Sequence, residues 1–548
     1  MSEPRSNVTE RSGVTTQTLT GAGAAIAALE ANGVDTIFGI PGVHTLALYD
    51  ALHDSDIRHV LGRHEQGVGF MADGYARASG KPGVALVITG PGVTNVATAV
   101  GQAYTDSSPV FVLSSNVRRE HLDAMRGNLH DLKDQLGVMA AVTQWNARVM
   151  APDDAFATVS EGFNRLASGR PLPVHVEIPI DVLDETVDEF NRSISIPSKP
   201  GPDPAVIADA ANRLARAGRV VIYCGGGAVS SGASDHIAAL ADRLDAMVVT
   251  SFMGKGAIPE DHPRSAGSLW EPGNAIDDLV AGTGVLLIVG SKMGAQLTFQ
   301  FTLRYPKEII RIEIDPIEMS LNLSPNLPVL GDARASVADL LDCLQATPPT
   351  SQGFSIDEIA AARDAAERGS FHYERLPYVT ALRRAIPRDG ILVGDMTQMS
   401  YVSCGLYPVY EPRTFFFPQG YGTLGFGMPA AIGAKIACPD KAVVCIAGDG
   451  GYQFTMSELG VAVQEKLGLP IVIFNDSTYS AVKEAQATSR AGRYIGINLI
   501  NPDYVELAKA YRIPGVRVHS PEAMEAEIVA ALERSTPTII DVPVDHWV

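Results

Sequence analysis

What this sequence lacks narrows its class before any motif is read. It has five cysteines in 548 residues: Cys224, Cys343, Cys404, Cys438 and Cys445. None forms a CxxC pair, so neither a disulfide framework nor a zinc ribbon is expected, and their apolar settings predict buried free thiols. No apolar run approaches the roughly 18 residues that a membrane-spanning helix needs. The opening stretch MSEPRSNVTERSGVTTQ is polar and has no apolar core, so no signal peptide is expected and the cytoplasm is the expected compartment. Basic charge is also short, with 43 Lys and Arg against 62 Asp and Glu, a net −19. That balance argues against a nucleic-acid or anionic-membrane binder, since either wants a basic face.

What is present is an ordinary globular composition, 46 % hydrophobic and 19 % charged, in a chain long enough for several domains. Strand-length apolar runs alternate with helical segments from residue 17 onward, which implies parallel sheets covered by helices on both faces. Residues 1–16 read as a disordered leader. Two polar, Pro-containing stretches, DEFNRSISIPSKPGPDP at 188–204 and ATPPTSQG at 346–353, read as linkers. The expected architecture is α/β with three domains, 17–186, 205–345 and 370–548, each with a mainly parallel sheet flanked by helices. No internal repeat is visible.

The chemistry concentrates at 443–480. An apolar run at 443–447 enters a tight turn, Gly448-Asp449-Gly450-Gly451, followed by a helical segment at about 455–465. A second apolar run at 470–474 stops at Asn475-Asp476, with 24 residues between Gly450 and Asn475. In open parallel sheets such strand ends line the ligand crevice. Glycines there let backbone N–H groups approach a phosphate, aided by a helix start. Asp449 and Asp476 offer hard oxygen ligands suited to Mg²⁺ held between protein and a diphosphate. Gly, Asn and Asp also serve in plain turns, and a lone Glu after a strand, such as Glu65, ordinarily reads as solvated.

The 443–480 stretch resembles the thiamine diphosphate-binding motif, in which GDG is followed at similar spacing by an Asn-Asn pair. From about residue 17 to the C-terminus the chain is similar to the acetolactate-synthase-like branch of that superfamily, which includes 2-oxo acid decarboxylases. The resemblance implies a pyrimidine-binding, a central and a diphosphate-binding domain, in a homodimer or homotetramer with cofactor at the subunit interface. It implies Asp449, Asp476 and the Thr478 carbonyl as Mg²⁺ ligands, with Gly448, Gly450, Gly451, Tyr479 and Ser480 beside the cofactor. The family's second Asn stands here as Asp476, which adds a charge that repels diphosphate and strengthens the metal contact. The segment RHEQG at 63–67 matches the family's catalytic segment, so Glu65 is expected to hydrogen-bond the aminopyrimidine N1′. A shielded carboxyl can exchange a proton with such a weak ring base, while the cofactor carries the hard chemistry. In the Gly-rich loop 417–428, Leu424 is expected to bend the cofactor and the Gly422 carbonyl to receive its 4′-amino hydrogen. Asp395, Thr397 and Gln398 of the GDMTQ segment are expected at the diphosphate.

For the substrate, His44 and His130 are candidates for proton transfer or carboxylate binding. Tyr479, Val482 and Glu484 are placed to line its tail. Val482 stands where pyruvate and indolepyruvate decarboxylases carry a Glu, which argues against those activities. Gly225-Gly226-Gly227 lacks a full dinucleotide fingerprint, and the segments GSLWEPGNA and SKMGAQLTF depart from acetolactate-synthase patterns. Both features argue against FAD or another nucleotide in the central domain. The resulting expectation is non-oxidative decarboxylation of a small 2-oxo acid to an aldehyde. PGVHTLALYDAL, RHEQGVGFMADGYAR and ITGPGVTNVATAV are most similar to 5-guanidino-2-oxopentanoate decarboxylases. The alternatives are a carboligase of the acetolactate synthase type and a catalytically inactive nucleotide-binding α/β protein.

Overall fold

The computed structural model describes residues 19–187, 193–350, 352–370 and 373–545. The leader expected at 1–16 lies outside them, as does part of the first linker. Among the described residues the named strands all pair in parallel, in three sheets. The first holds β1 (Thr36–Gly39), β2 (Arg58–Leu61), β3 (Gly83–Val87), β4 (Val110–Asn116), β5 (Trp145–Arg148) and β6 (Val174–Pro179), in the order β2-β1-β3-β4-β6-β5. The middle sheet holds β7 (Val220–Cys224), β8 (Met247–Thr250), β9 (Val285–Val289), β10 (Ile309–Glu313) and β11 (Leu327–Leu330), in the order β11-β10-β9-β7-β8. The third holds β12 (Ile391–Gly394), β13 (Phe415–Phe416), β14 (Val443–Gly448), β15 (Pro470–Asn475), β16 (Gly515–Arg517) and β17 (Thr538–Pro543), in the order β13-β12-β14-β15-β17-β16. The α/β fold with three parallel sheets is therefore the observed one. Central strands such as VLLIV at β9 are buried throughout, as helices on both faces require.

Five strands escape the sequence reading: β5, β8, β11, β13 and β16. All five are sheet edges. An edge strand pairs on one side only, so it tolerates the two residues of β13, the three of β16 and the polar content of β5. By contrast, β8 is buried throughout and apolar up to its last residue, Thr250. Helix placement after the GDGG turn also differs from expectation. A helix starts at Asp449 and runs to Phe454, breaks at Thr455, and resumes through the 3-10 turn Met456–Glu458 into Leu459–Gln464. The Thr455 hydroxyl donates to the Gly425 carbonyl at 2.7 Å, which holds the break against the neighbouring loop.

The first and third domains meet through two helices, Glu65–Ser79 and Gly427–Ala437. Their backbones touch at glycines. A side-chain carbon on Gly74 would lie 2.0 Å from the Ala430 carbonyl oxygen, and one on Gly433 would lie 1.9 Å from that of Met71. Only glycine permits this approach.

A buried ionic network secures the same contact. The Arg77 guanidinium forks onto Asp73 at 2.7 and 2.9 Å and reaches Asp106 at 2.9 Å. Asp106 in turn accepts from the Gly420 peptide at 2.7 Å and from Gln102. Gln102 Oε1 accepts from both the peptide and hydroxyl of Thr423. First-domain helices thereby hold the third-domain loop that carries Gly422 and Leu424. Arg77→Ala leaves two buried carboxylates without their cation, which should lower unfolding free energy by about 3–5 kcal/mol in denaturant titrations. Arg77→Lys should recover only part, because a single ammonium cannot reproduce the fork.

Candidate active site

In a sheet ordered 2-1-3-4, ligands bind where connections leave the first and third strands in opposite directions. The first sheet has this switch between β1 and β3, whose ends lead into residues 41–44 and 89–92. The third has it between β12 and β14, whose ends lead into 395–398 and 449–451. The sequence-predicted residues divide between these two crevices.

At the third-domain crevice the glycine turn packs against its predicted neighbours: Gly448 on Thr397, Gly450 on Tyr479 and Gly451 on Asp395. The Asp395 carboxylate accepts from the Met396 peptide at 2.6 Å, from Gly425 at 3.0 Å and from Gly427 at 3.2 Å. Burial pushes Asp395 up to about 6 while these N–H groups pull it down. Its side chain is thus spent inside the protein, where it staples the loop bearing Gly422 and Leu424 to the end of β12. Thr397 and Gln398 are buried, and Gln398 accepts from Arg375 at 3.0 Å. Gly422 has φ +71°, and Leu424 is half-buried.

Asp449 and Asp476 have neutral hydrogen-bond partners. Asp449 Oδ2 accepts from Asn501 Nδ2 at 2.6 Å, and Asn501 also donates to Asn475 Oδ1 at 2.9 Å. Asp476 accepts from the Thr478 peptide at 3.1 Å and from the Ser480 hydroxyl. Burial raises Asp449 to about 6; the Asn501 hydrogen bond opposes this and the Asp476 charge reinforces it. Two carboxylates converging with neutral partners form a donor set that fits a hard divalent cation. Among the described residues no group of three His, Cys, Asp or Glu side chains could hold a metal. Further ligands at this point would then be a carbonyl, such as that of Thr478, with diphosphate and water oxygens. Asn501, which ties the two strand ends together, was invisible in the sequence because a lone Asn some 25 residues downstream carries no local signal.

At the first-domain crevice, Glu65 opens its helix and its Oε2 accepts from Asn95 Nδ2 at 2.9 Å. Its other oxygen faces Gly92 of the Gly90-Pro91-Gly92 turn. A buried network fixes that turn: Gln135 Oε1 accepts from the Gly90 peptide at 3.0 Å and Thr89 at 2.7 Å, while Gln135 Nε2 donates to Glu177 at 2.8 Å. Glu177 is fully buried and also accepts from Arg148 and Asn116. His44 and His130 meet here with ring centroids 5.1 Å apart. Burial lowers the proton affinity of His44, with His130 adding to the effect. His130 has φ +67°, and its backbone packs on Gly90. Nothing local in the sequence joins residues 44 and 130; the fold does.

Val482 is exposed on the helix Ser480–Ser489, with Glu484 half-buried one residue beyond Lys483. Gly226 and Gly227 border a cavity of about 860 Å³ where the three domains meet, lined also by Arg170, Lys292, Asp332 and Gln419. Burial and Arg170 push the Lys292 ammonium down to about 8. The cavity is of ligand size, since such pockets run about 300–1,000 Å³; the expectation against FAD rests on motif departures and not on room. All five cysteines are free. No helix among the described residues is long and apolar enough to cross a membrane.

Comparison with known proteins bears on the whole length. Three family models match: thiamine pyrophosphate enzyme, N-terminal TPP binding domain at residues 19–138, central domain at 207–340, and C-terminal TPP binding domain at 395–542. The chain is 39 % identical to a protein of Pseudomonas aeruginosa named probable 2-ketoarginine decarboxylase, covering 96 % of this chain and 94 % of that one. It is 33 % identical to the probable acetolactate synthase large subunit of Methanocaldococcus jannaschii, with 96 % and 92 % covered. It is also 33 % identical to the acetolactate synthase isozyme 3 large subunit of Escherichia coli, with 96 % and 95 % covered. The GDGG turn, the paired Asp449 and Asp476, and Glu65 at its helix start belong to a chain that is a member of the thiamine pyrophosphate enzyme family.

Proposed function

We propose that this enzyme uses thiamine diphosphate and Mg²⁺ to decarboxylate a 2-oxo acid without oxidation, releasing an aldehyde, and that its substrate is 5-guanidino-2-oxopentanoate. The observation that carries the choice is the 39 % identity, across nearly both chains, to a protein named for 2-ketoarginine, the same keto acid. Val482 in place of a Glu supports a substrate other than pyruvate or indolepyruvate.

When bound, thiamine diphosphate supplies the carbon nucleophile and the electron sink for loss of CO₂. Glu65, oriented by Asn95, holds or gives a proton at the pyrimidine nitrogen N1′. Asp395 fixes the loop that carries Leu424 and Gly422, where the Leu424 side chain would support the bound cofactor and the Gly422 carbonyl would accept a hydrogen bond from it. Asp449, Asp476 and the Thr478 carbonyl hold Mg²⁺, with Gly448, Gly450, Gly451, Thr397, Gln398, Tyr479 and Ser480 around the diphosphate. The His44–His130 pair takes the substrate carboxylate or delivers the proton that completes the aldehyde. The working unit is a cytoplasmic homodimer or homotetramer with the cofactor at a subunit interface.

A second reading has specific support, because the 33 % identical relatives are named acetolactate synthases. In that reading a second carbonyl compound, and not a proton, meets the activated carbon.

Incubating the protein with thiamine diphosphate, Mg²⁺ and a panel of 2-oxo acids should yield aldehyde, fastest from 5-guanidino-2-oxopentanoate. Exclusive formation of 2-hydroxyketones would establish the carboligase instead. Glu65→Gln should cut turnover by about 10²–10⁴-fold, the usual worth of general acid–base catalysis, with an unchanged far-ultraviolet spectrum. Chelation by EDTA should abolish turnover and Mg²⁺ should restore it. Asp449→Asn should raise the Mg²⁺ concentration required far more than Asp476→Asn, because the latter restores the family's usual amide; equal effects would contradict the assigned ligand roles.

A further inference from the structure

Beside Glu65 lies a carboxyl that comes from the third domain and that no motif reading singles out. Glu458 ends the 3-10 turn Met456–Glu458 and is fully buried. Its carboxylate crosses to the first domain, accepting from the His64 peptide at 2.8 Å and the Arg63 peptide at 3.1 Å. It fits because residue 67 is glycine: a side-chain carbon there would lie 2.5 Å from the Glu458 carboxyl. The helix break at Thr455 is what brings Glu458 to this position. Carboxylate is the side chain that can accept from two adjacent N–H groups with two oxygens, and these N–H groups belong to the turn that delivers Glu65.

The surroundings decide how this acid behaves. Burial pushes Glu458 up to about 7; the two peptide N–H groups and the Arg63 charge pull it down, and the Glu65 charge pushes it further up. Arg63 itself is engaged by the Leu61 and Gly62 carbonyls and by Gln464. His64 accepts from the Gln66 peptide through Nδ1, and the Tyr49 phenol is held protonated by burial and by the Glu65 charge. Glu458 and Glu65 are thus two acids at one helix start, and the charge of Glu65 is felt at Glu458.

We propose that Glu458 is a positioning residue for the reaction: it fixes the Arg63–Glu65 turn from across the domain contact and places beside that turn a second carboxylate, whose negative charge favours a protonated aminopyrimidine. The inference rests on Glu65 serving as the cofactor's acid.

The test uses holoenzyme reconstituted with thiamine diphosphate and Mg²⁺, its aminopyrimidine titrated with pH by near-ultraviolet circular dichroism. Glu458→Gln should move the titration midpoint down by about one pH unit, the size expected for losing one charge at close range in a partly buried setting. It should lower kcat with little change in KM. Glu458→Asp keeps the charge but withdraws the carboxyl, so it should restore most of the midpoint while peptide hydrogen exchange at Arg63 and His64 rises. An unmoved midpoint in Glu458→Gln overturns the proposal. If that variant does not fold, Glu458→Asp decides: raised exchange at Arg63 and His64 supports the proposal and wild-type exchange overturns it. Glu65→Gln separates the two levels. Should it titrate as wild type does, the Glu65 reading fails and this proposal with it; should its titration vanish while Glu458→Gln matches wild type, only the role of Glu458 falls.

Discussion

The backbone contact between the Glu65–Ser79 and Gly427–Ala437 helices governs the rest of the molecule. Gly74 and Gly433 bring the two helices so close that neither can slide without a clash against a carbonyl oxygen. With the helices fixed, the Glu65 end of one lies beside the turn that carries Glu458, and the loop before the other carries Gly422 and Leu424. The Arg77–Asp73–Asp106 network adds direction to a contact that glycine makes close. Its hydrogen bonds end on Gly420 directly and on Thr423 through Gln102, so the ionic cluster positions a loop as well as holding two domains. Buried ion pairs are weak sources of net stability. Their value here lies in geometry, since the network ties helices of the first domain to the Gly420 and Thr423 peptides of the third.

The first and third sheets share one strand order, β2-β1-β3-β4-β6-β5 and β13-β12-β14-β15-β17-β16. The two domains therefore present the same switch-point crevice furnished with different chemistry. One crevice holds an acid on a helix start with a histidine pair nearby; the other holds a glycine turn and two carboxylates. The middle sheet departs from that order and carries none of the predicted catalytic groups. A repeat of topology without visible repeat of sequence is what divergent strand ends would leave, because parallel core strands accept almost any β-branched or aliphatic run.

Legibility followed range. The α/β class and the central strands were readable because buried parallel strands are continuous apolar runs. The GDGG segment was readable because it packs its chemistry into a few adjacent residues, whereas Glu65 stood out only through the resemblance of RHEQG to a family segment. Asn501, Glu458, Gln135 and Glu177 were not, since each acts through a partner tens to hundreds of residues away and looks locally like any polar residue. The meeting of His44 with His130 and the true start of the helix at Asp449 belong to the same class. A glycine pair after Asp449 reads as a turn, and only the packing against Thr397, Asp395 and Tyr479 commits it to helical backbone. Asp395 adds a role that its place at a strand end does not reveal: its carboxylate holds the neighbouring loop.

The kind of partner separates the acids of this protein better than burial does. Asp73, Asp106, Glu177 and Glu260 are buried against Arg or Lys and lock the architecture. Asp395 and Asp449 draw their hydrogen bonds from peptide N–H groups and amides, and Glu458 has peptide donors with only the more distant Arg63 charge beside it; burial raises all three. Amide dipoles stabilise an anion less than a contacting cation does. At Asp395 and Glu458 the carboxylates are spent on a loop and a turn, whereas Asp449, with the Asp476 charge beside it, keeps a demand for positive charge that a metal can satisfy. Asp476 sharpens the demand at one point. An amide there would leave Asp449 as the single anion, whereas a second carboxylate repels the first and can be relieved only by a divalent ion or by a proton. On the proposed metal assignment, an Asp at 476 in place of an amide would couple metal occupancy more tightly to the charge at Asp449, because the Asp476 charge already raises Asp449.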